Sequence, residues 1–226
     1  MRPQRQTLAD SSYTTYGYGD DGQLAAAQGY NAAGSLITAE DLAFRYDPSL
    51  NMTQRIVNTV PSAYKVNDLN EVTNAAGSSC SYDPNGNRTI FGGYYNYSHD
   101  DENRLTQLSD DVYQSFRTQW VYDGLGRLRK RLEYDWGTTT ARTLPAIIGA
   151  WQLSSTTLYI YDGNLAVQER SGANVLQVTY TRGKDLSGSL AGAGGIGGLL
   201  ARSDVYSNNG SWSSHNFYLL RPKFSS

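Results

Sequence analysis

Acid–base catalysis of the glycosidase kind needs two carboxyl groups held roughly 5 to 10 Å apart across a cleft. Asp100-Asp101-Glu102 and Asp110-Asp111 are the clusters of the right type. Nucleophilic catalysis needs a thiol or hydroxyl beside a base, and Cys80 with His99 is the pair that suggests it, His215 being the second histidine. Gly192-x-Gly194-x-x-Gly197 has the spacing of a dinucleotide-binding turn, and Asp83-Pro-Asn-Gly-Asn87 opens like a calcium loop. Context removes each of them. The glycine triplet lacks an acid near positions 212 to 217 and any strand–helix–strand unit around it. A calcium loop needs Gly at its sixth place and Glu at its twelfth, where Arg88 and Tyr94 stand. One cysteine and two histidines leave no disulfide framework and almost no metal chemistry. No catalytic residue, cofactor or metal site is therefore assigned, and the acids are expected to do conformational work.

That work shows in their recurrence. Seven segments repeat aromatic, any residue, aromatic, acid or amide, two variable residues, Gly or Asn, then a polar residue. They contain Tyr18-Gly-Asp-Asp-Gly22, Tyr46-Asp47, Asn67 with Asn70, Tyr82-Asp83 with Gly86, Asp100 with Asn103, Tyr122-Asp123 with Gly126, and Tyr161-Asp162. The acid positions, with Gly19 as a degenerate first, are spaced by 16 to 39 residues. Most of these gaps match a β-hairpin with its return connection. Asp or Asn can accept backbone N–H groups two residues on, Pro presets φ near −65°, and Gly or Asn tolerates the left-handed conformation that closes the turn. Residues before each acid alternate with the strand period, so Cys80 with Tyr82, and Trp120 with Tyr122, share a face. Asp21 to Gln28, the best helical candidate, reads in this setting as a return strand, and Gly137 to Gly149 as a loop insertion.

Composition agrees with an all-β chain. Tyr occurs 18 times and Gly 23 times against 6 Pro and 2 Met. A net charge of −2 supplies no basic excess for nucleic acid. The run Leu190 to Ala201 is too short and too Gly-rich for a membrane span, and Met1 to Asp10 has no apolar run that would make it a secretory signal.

These segments resemble the YD-repeat, or Rhs-repeat, family of bacterial Rhs polymorphic toxins, toxin-complex cocoon proteins, wall-associated proteins and animal teneurins. Tyr161 to Arg170, Val178 to Leu190 and Ala191 to Arg202 are similar to the opening of the Rhs repeat-associated core. The resemblance implies consecutive antiparallel β-hairpins in a curved sheet, part of a spiralling β-shell that encloses a C-terminal toxin, secreted or displayed at the cell surface. It divides the chain into a cropped or flexible terminus (1–15), YD-repeat hairpins (16–175) with an insertion near 137–149, a Gly-rich core segment (176–218) and an aberrant tail (219–226). After Tyr218 the family's next hairpin turn is replaced by Leu219 to Ser226, which reads as truncation, and the self-cleavage sequence has no counterpart.

Seven hairpins at ~4.8 Å per strand make about 67 Å of ribbon, about 21 Å across if closed. A folded cargo of ~100 residues is about 34 Å across. The expectation is therefore a structural segment whose partners are the remainder of a larger shell, or other copies joined through sheet edges. The alternative is an extracellular carbohydrate-binding or adhesion module, in which Trp120 or Trp212 stacks on glycans.

Overall fold

Residues 2–140, 147–206 and 210–218 are described by the computed structural model, with only the backbone described at 138–140, 147, 148 and 205. Eighteen strands account for the regular structure, all ladders are antiparallel between sequence neighbours, and no helix occurs among the described residues. Two compact units divide the chain, Met1–Asn96 and Tyr97–Ser226.

The first unit runs through β1 (Arg5–Thr7), β2 (Tyr13–Tyr18), β3 (Leu24–Tyr30), β4 (Leu36–Tyr46), β5 (Met52–Val57), β6 (Val60–Val66), β7 (Val72–Ala75), β8 (Ser78–Tyr82) and β9 (Arg88–Phe91) into the start of β10 (Tyr95–His99). Each strand pairs with the next, from Arg5↔Thr15 through Tyr95↔Phe91. The Ala-containing stretch is the return strand β3, as its position after a turn implies. The terminus expected to be flexible is not wholly so: Arg5 to Thr7 form β1, and the Arg5 guanidinium lies 3.7 Å from the centre of the Tyr13 ring.

Continuing in the second unit, β11 (Leu105–Asp110), β12 (Arg117–Tyr122), β13 (Leu128–Thr140), β14 (Ile147–Asp162), β15 (Leu165–Ser171), β16 (Leu176–Arg182), β17 (Leu199–Tyr206) and β18 (Trp212–Phe217) pair in the same sequential way. The insertion expected near 137–149 is largely strand. Gly137 to Thr140 pair with Ala150, Gly149, Ile148 and Ile147, because threonine and isoleucine suit a pleated backbone better than a loop. Residues 141–146 and the tail 219–226 lie outside the described residues.

Ladders slip by one residue just before the turns, between Gly17 and Tyr18, Arg45 and Tyr46, Lys65 and Val66, Ser81 and Tyr82, Val121 and Tyr122, and Ile160 and Tyr161. Such a slip is a β-bulge, which sharpens local twist and re-aims the side chain beside it.

Little of this is buried. Among the described residues the buried apolar set is Ala27, Cys80, Val178 and Ala201, while most strand residues are half-buried. Bonds between neighbouring hairpins, rather than a thick apolar core, must hold much of the structure.

Candidate functional site

Those bonds repeat with the turns. In each of six turns the first residue's N–H donates to the carbonyl four residues on, and the N–H at the fourth position donates back. These turns run from Gly19, Asp47, Asn67, Asp83, Asp100 and Asp123. The acid oxygen then accepts the later amides: Asp83 Oδ1 takes the N–H groups of Asn85 and Asn87, each at 2.9 Å, and Asp100 Oδ1 takes those of Glu102 and Arg104 at 3.0 and 2.9 Å. Gly22, Asn70, Gly86, Asn103 and Gly126 occupy the left-handed corner, with φ of 81°, 61°, 81°, 61° and 75°. The turn from Asp47 departs from this composition, since Leu50 stands at the corner with φ of 66°.

The seventh motif closes differently. Asp162 is still paired, with Leu165, so only Gly163 and Asn164 form the turn. Gly163 carries the positive φ, 56°, where the sequence pattern placed the corner at Asn164. Two residues fewer between acid and return strand leave no room for the longer turn, and a two-residue loop with glycine first matches the twist of the flanking strands.

Tyrosines before the acids tie hairpin to hairpin. Tyr46 Oη donates to the Leu24 carbonyl at 3.0 Å, Tyr82 to Val72 at 2.9 Å and Tyr122 to Leu105 at 2.9 Å. Each acceptor opens the return strand of an earlier turn. Residues just after the corner add cross-links. Asn51 Nδ2 donates to both Asp47 and Asn70, and Arg104 pairs with Asp100 and lies 4.9 Å from the Tyr122 ring centre. Arg127 pairs with Asp123, donates to the Gly163 carbonyl at 2.5 Å and lies 5.3 Å from the Tyr161 ring centre. Tyr161 thus serves as an aromatic platform for a neighbouring turn.

Sequence reasoning missed turns of the same kind. Tyr30-Asn31-Ala-Ala-Gly34-Ser35 repeats the pattern, with the Ser35 N–H on Asn31 Oδ1 at 2.9 Å and Gly34 at φ of 80°. A turn from Ser171 uses a hydroxyl in place of the acid, and one from Leu8 has no side-chain acceptor at its first position, a signal too weak to read.

A second nearly buried carboxylate besides Asp110, and one also missed, is Asp185. Its exposure is 6%, and it begins another such turn, accepting the N–H and Oγ–H of Ser187. Its second oxygen accepts the N–H groups of Ala193 at 2.7 Å and Gly195 at 3.1 Å. The Ser187 hydroxyl, aided by these amides against the cost of burial, holds the Asp185 carboxyl down at about 2. Two amides of the glycine triplet region, the kind of donors that could cradle a phosphate, are thus occupied by the chain's own anion. Beside this segment a cleft of about 410 Å³ is lined in part by Leu165, Tyr180, Arg182 and Leu190.

Of the acids considered for catalysis, Asp100 and Asp110 are shifted in the same direction. Asp100 is held below the usual carboxylate range chiefly by the Arg104 amide. Burial pushes Asp110 up, but the Ser115 hydroxyl and the amides of Tyr113 and Val112 outweigh it. Asp123 is likewise carried down by the Arg127 amide and side chain against burial. A general acid at neutral pH needs the opposite shift. Cys80 is buried in β8, opposite Phe91. Trp120 is half-buried, and Trp212 is half-buried with its ring 4.8 Å from that of Tyr206. Both oxygens of Asp83 accept amide hydrogens, so the sequence that opens like a calcium loop is closed by its own donors.

No family model matches the chain and no curated protein matches it. Similar solved structures are found. The Photorhabdus luminescens Tc holotoxin pore is 14% identical with a TM-score of 0.40, covering 98% of this chain and 12% of that one. TcdB2-TccC3 without its hypervariable C-terminal region gives 14% and 0.39 over 98% of this chain and 12% of that one. TcdB2-TccC3-Cdc42 gives 11% and 0.34 over 80% and 15%. The chain therefore spans less than a sixth of the length of these proteins.

Proposed function

We propose that this chain is a non-catalytic structural segment of a YD-repeat shell, which in the family it resembles surrounds a C-terminal toxin. The observation that carries this reading is the repeated unit of turn acid, left-handed corner and tyrosine staple, which uses the recurrent polar groups to bind hairpin to hairpin. The small buried apolar set among the described residues supports it, because a shell wall has two faces and buries little by itself.

Strand number supports a partner in the remainder of a larger shell. Eighteen strands at ~4.8 Å spacing supply about 86 Å of ribbon, about 27 Å across if closed. That is still narrower than the roughly 34 Å of a folded cargo of ~100 residues. The described ladders leave an outer edge at β1 and another at β18, where further strands would add. Secretion or surface display follows from the same resemblance; no helix among the described residues is long and apolar enough to cross a membrane.

Electron microscopy of the complete polypeptide that contains this segment is expected to show a hollow particle with these hairpins in its wall. A solid particle overturns the reading. So does a glycan-array signal abolished by Trp120→Ala or Trp212→Ala, which would establish the carbohydrate-binding module instead. A hydrolytic activity lost with Asp110→Asn but retained in the other acid variants would restore an enzyme.

A further inference from the structure

The ladder between β13 and β14 outruns both of its neighbours. On one side β12 stops at Arg117↔Tyr134, and on the other β15 stops at Thr157↔Ser171. Between these limits β13 and β14 continue alone, through Asp135↔Gln152, Trp136↔Trp151 and Gly137↔Ala150. They form a two-stranded arm, and its β14 edge has no partner strand from Gly149 to Ser155 among the described residues. Two-stranded ribbons are marginal in water. An aromatic cluster supports this one: Trp136 meets Trp151 edge-on at 5.2 Å, and the Arg117 guanidinium lies 4.7 Å from the Trp151 ring centre.

Natural edges are guarded by lysine, proline or inward charge. Ile147 to Tyr161 contains no Asp, Glu, Lys, Arg or Pro. Its guard is one bulge, where Glu133 faces Ser155 and Tyr134 faces Leu153, leaving Ser154 as the extra residue. The residues below the bulge are open: Ala150 and Gln152 are exposed, and Leu153 is 55% exposed.

We propose that the Gly149–Leu153 edge of this arm pairs antiparallel with the same edge of a second copy, joining two arms into a four-stranded sheet. A two-fold axis brings identical segments together in opposite directions, so each unpaired N–H and C=O meets its counterpart. The absence of charge makes a second copy an acceptable occupant, since no like charges are brought face to face. The contact is small beside a standard protein interface, so the dimer is weak and concentration-dependent. This pairing is separate from the shell reading and uses neither outer edge, at β1 or at β18.

Light scattering on the full chain should give one chain's 24.9 kDa at low micromolar concentration, rising toward twice that as the concentration approaches about 1 mM. The double variant Ala150→Lys with Gln152→Lys places two like charges on each arm where they oppose their copies, while its exposed positions and the neighbouring Asp135 preserve the fold. It should remain monomeric with an unchanged circular dichroism spectrum. Amide exchange between Gly149 and Leu153 should slow with concentration in the parent and not in the variant. A monomer throughout the range overturns the proposal. So does association that persists undiminished in the lysine variant, which would place the contact at β1 or β18.

Discussion

The tyrosine staples can be tested by removing only their hydroxyls. Tyr46→Phe and Tyr82→Phe each delete one hydrogen bond, of 3.0 and 2.9 Å, and leave the acceptor carbonyls of Leu24 and Val72 without that donor. A neutral hydrogen bond of this kind contributes about 1 kcal/mol net. The two staples tie different hairpins and share no partner, so their effects should add to about 2 kcal/mol. With a urea slope of about 2 kcal/mol per molar, the unfolding midpoint should fall by about 1 M in the double variant. The assay can separate the two units, because Trp120, Trp136, Trp151 and Trp212 all lie in the second. Far-UV circular dichroism should register the loss, whereas tryptophan fluorescence reports only the second unit and should respond to Tyr122→Phe instead. A double variant whose dichroism midpoint moves by less than about 0.2 M would refute the staple as a source of stability. The half-buried rings, retained in phenylalanine, would then be doing the work.

Gly86→Ala should destabilise by about 1 kcal/mol in the same titration, since φ there is 81° and the nearest atom to a new Cβ is 3.7 Å away, so backbone conformation alone sets the cost. Acid should unfold the chain in a defined window. Asp47, Asp100, Asp123 and Asp185 all have folded-state pKa values below their ordinary value, with Asp185 at about 2. Their stabilising contribution is thus complete above the unfolded carboxylate range and is lost as pH falls from about 4 toward 2. A dichroism titration showing no loss of stability there contradicts these assignments. Asp185→Asn retains shape but removes an acceptor of charge-assisted bonds, so limited proteolysis should cut 186–198 faster than in the parent while the β11–β15 hairpins remain intact. Equal cleavage rates would mean that glycine-segment packing, not the carboxylate, organises this loop.

Turn positions were legible because their causes are local. Asp83 binds amides two and four residues away, and Gly86 answers a constraint of its own backbone. The same rules could have found Tyr30-Asn31-Ala-Ala-Gly34, whose pattern is complete from its second aromatic position onward, with Gln28 at the first. They could not find the Leu8 turn, which lacks an acceptor side chain at its first position, or foresee that Leu50 would be forced into a left-handed corner by its repeat. Strand propensity also pointed the right way at Thr138 to Thr140, but the wide spacing between acids at 123 and 162 favoured a loop over a longer hairpin.

Local chemistry in the sequence thus determined an all-β chain of hairpins and the addresses of most turns, since hydrogen bonds spanning two to four residues are settled before distant segments meet. Tertiary structure decided what the tyrosines do, because their acceptor carbonyls lie 22, 10 and 17 residues away and are set by strand register. It also decided that Asp185 would fill the amides of the glycine-rich segment, eight and ten residues further on. The free arm edge likewise belongs to tertiary structure: its exposure depends on where β12 and β15 stop, and no property of Gly149 to Ser155 alone records that.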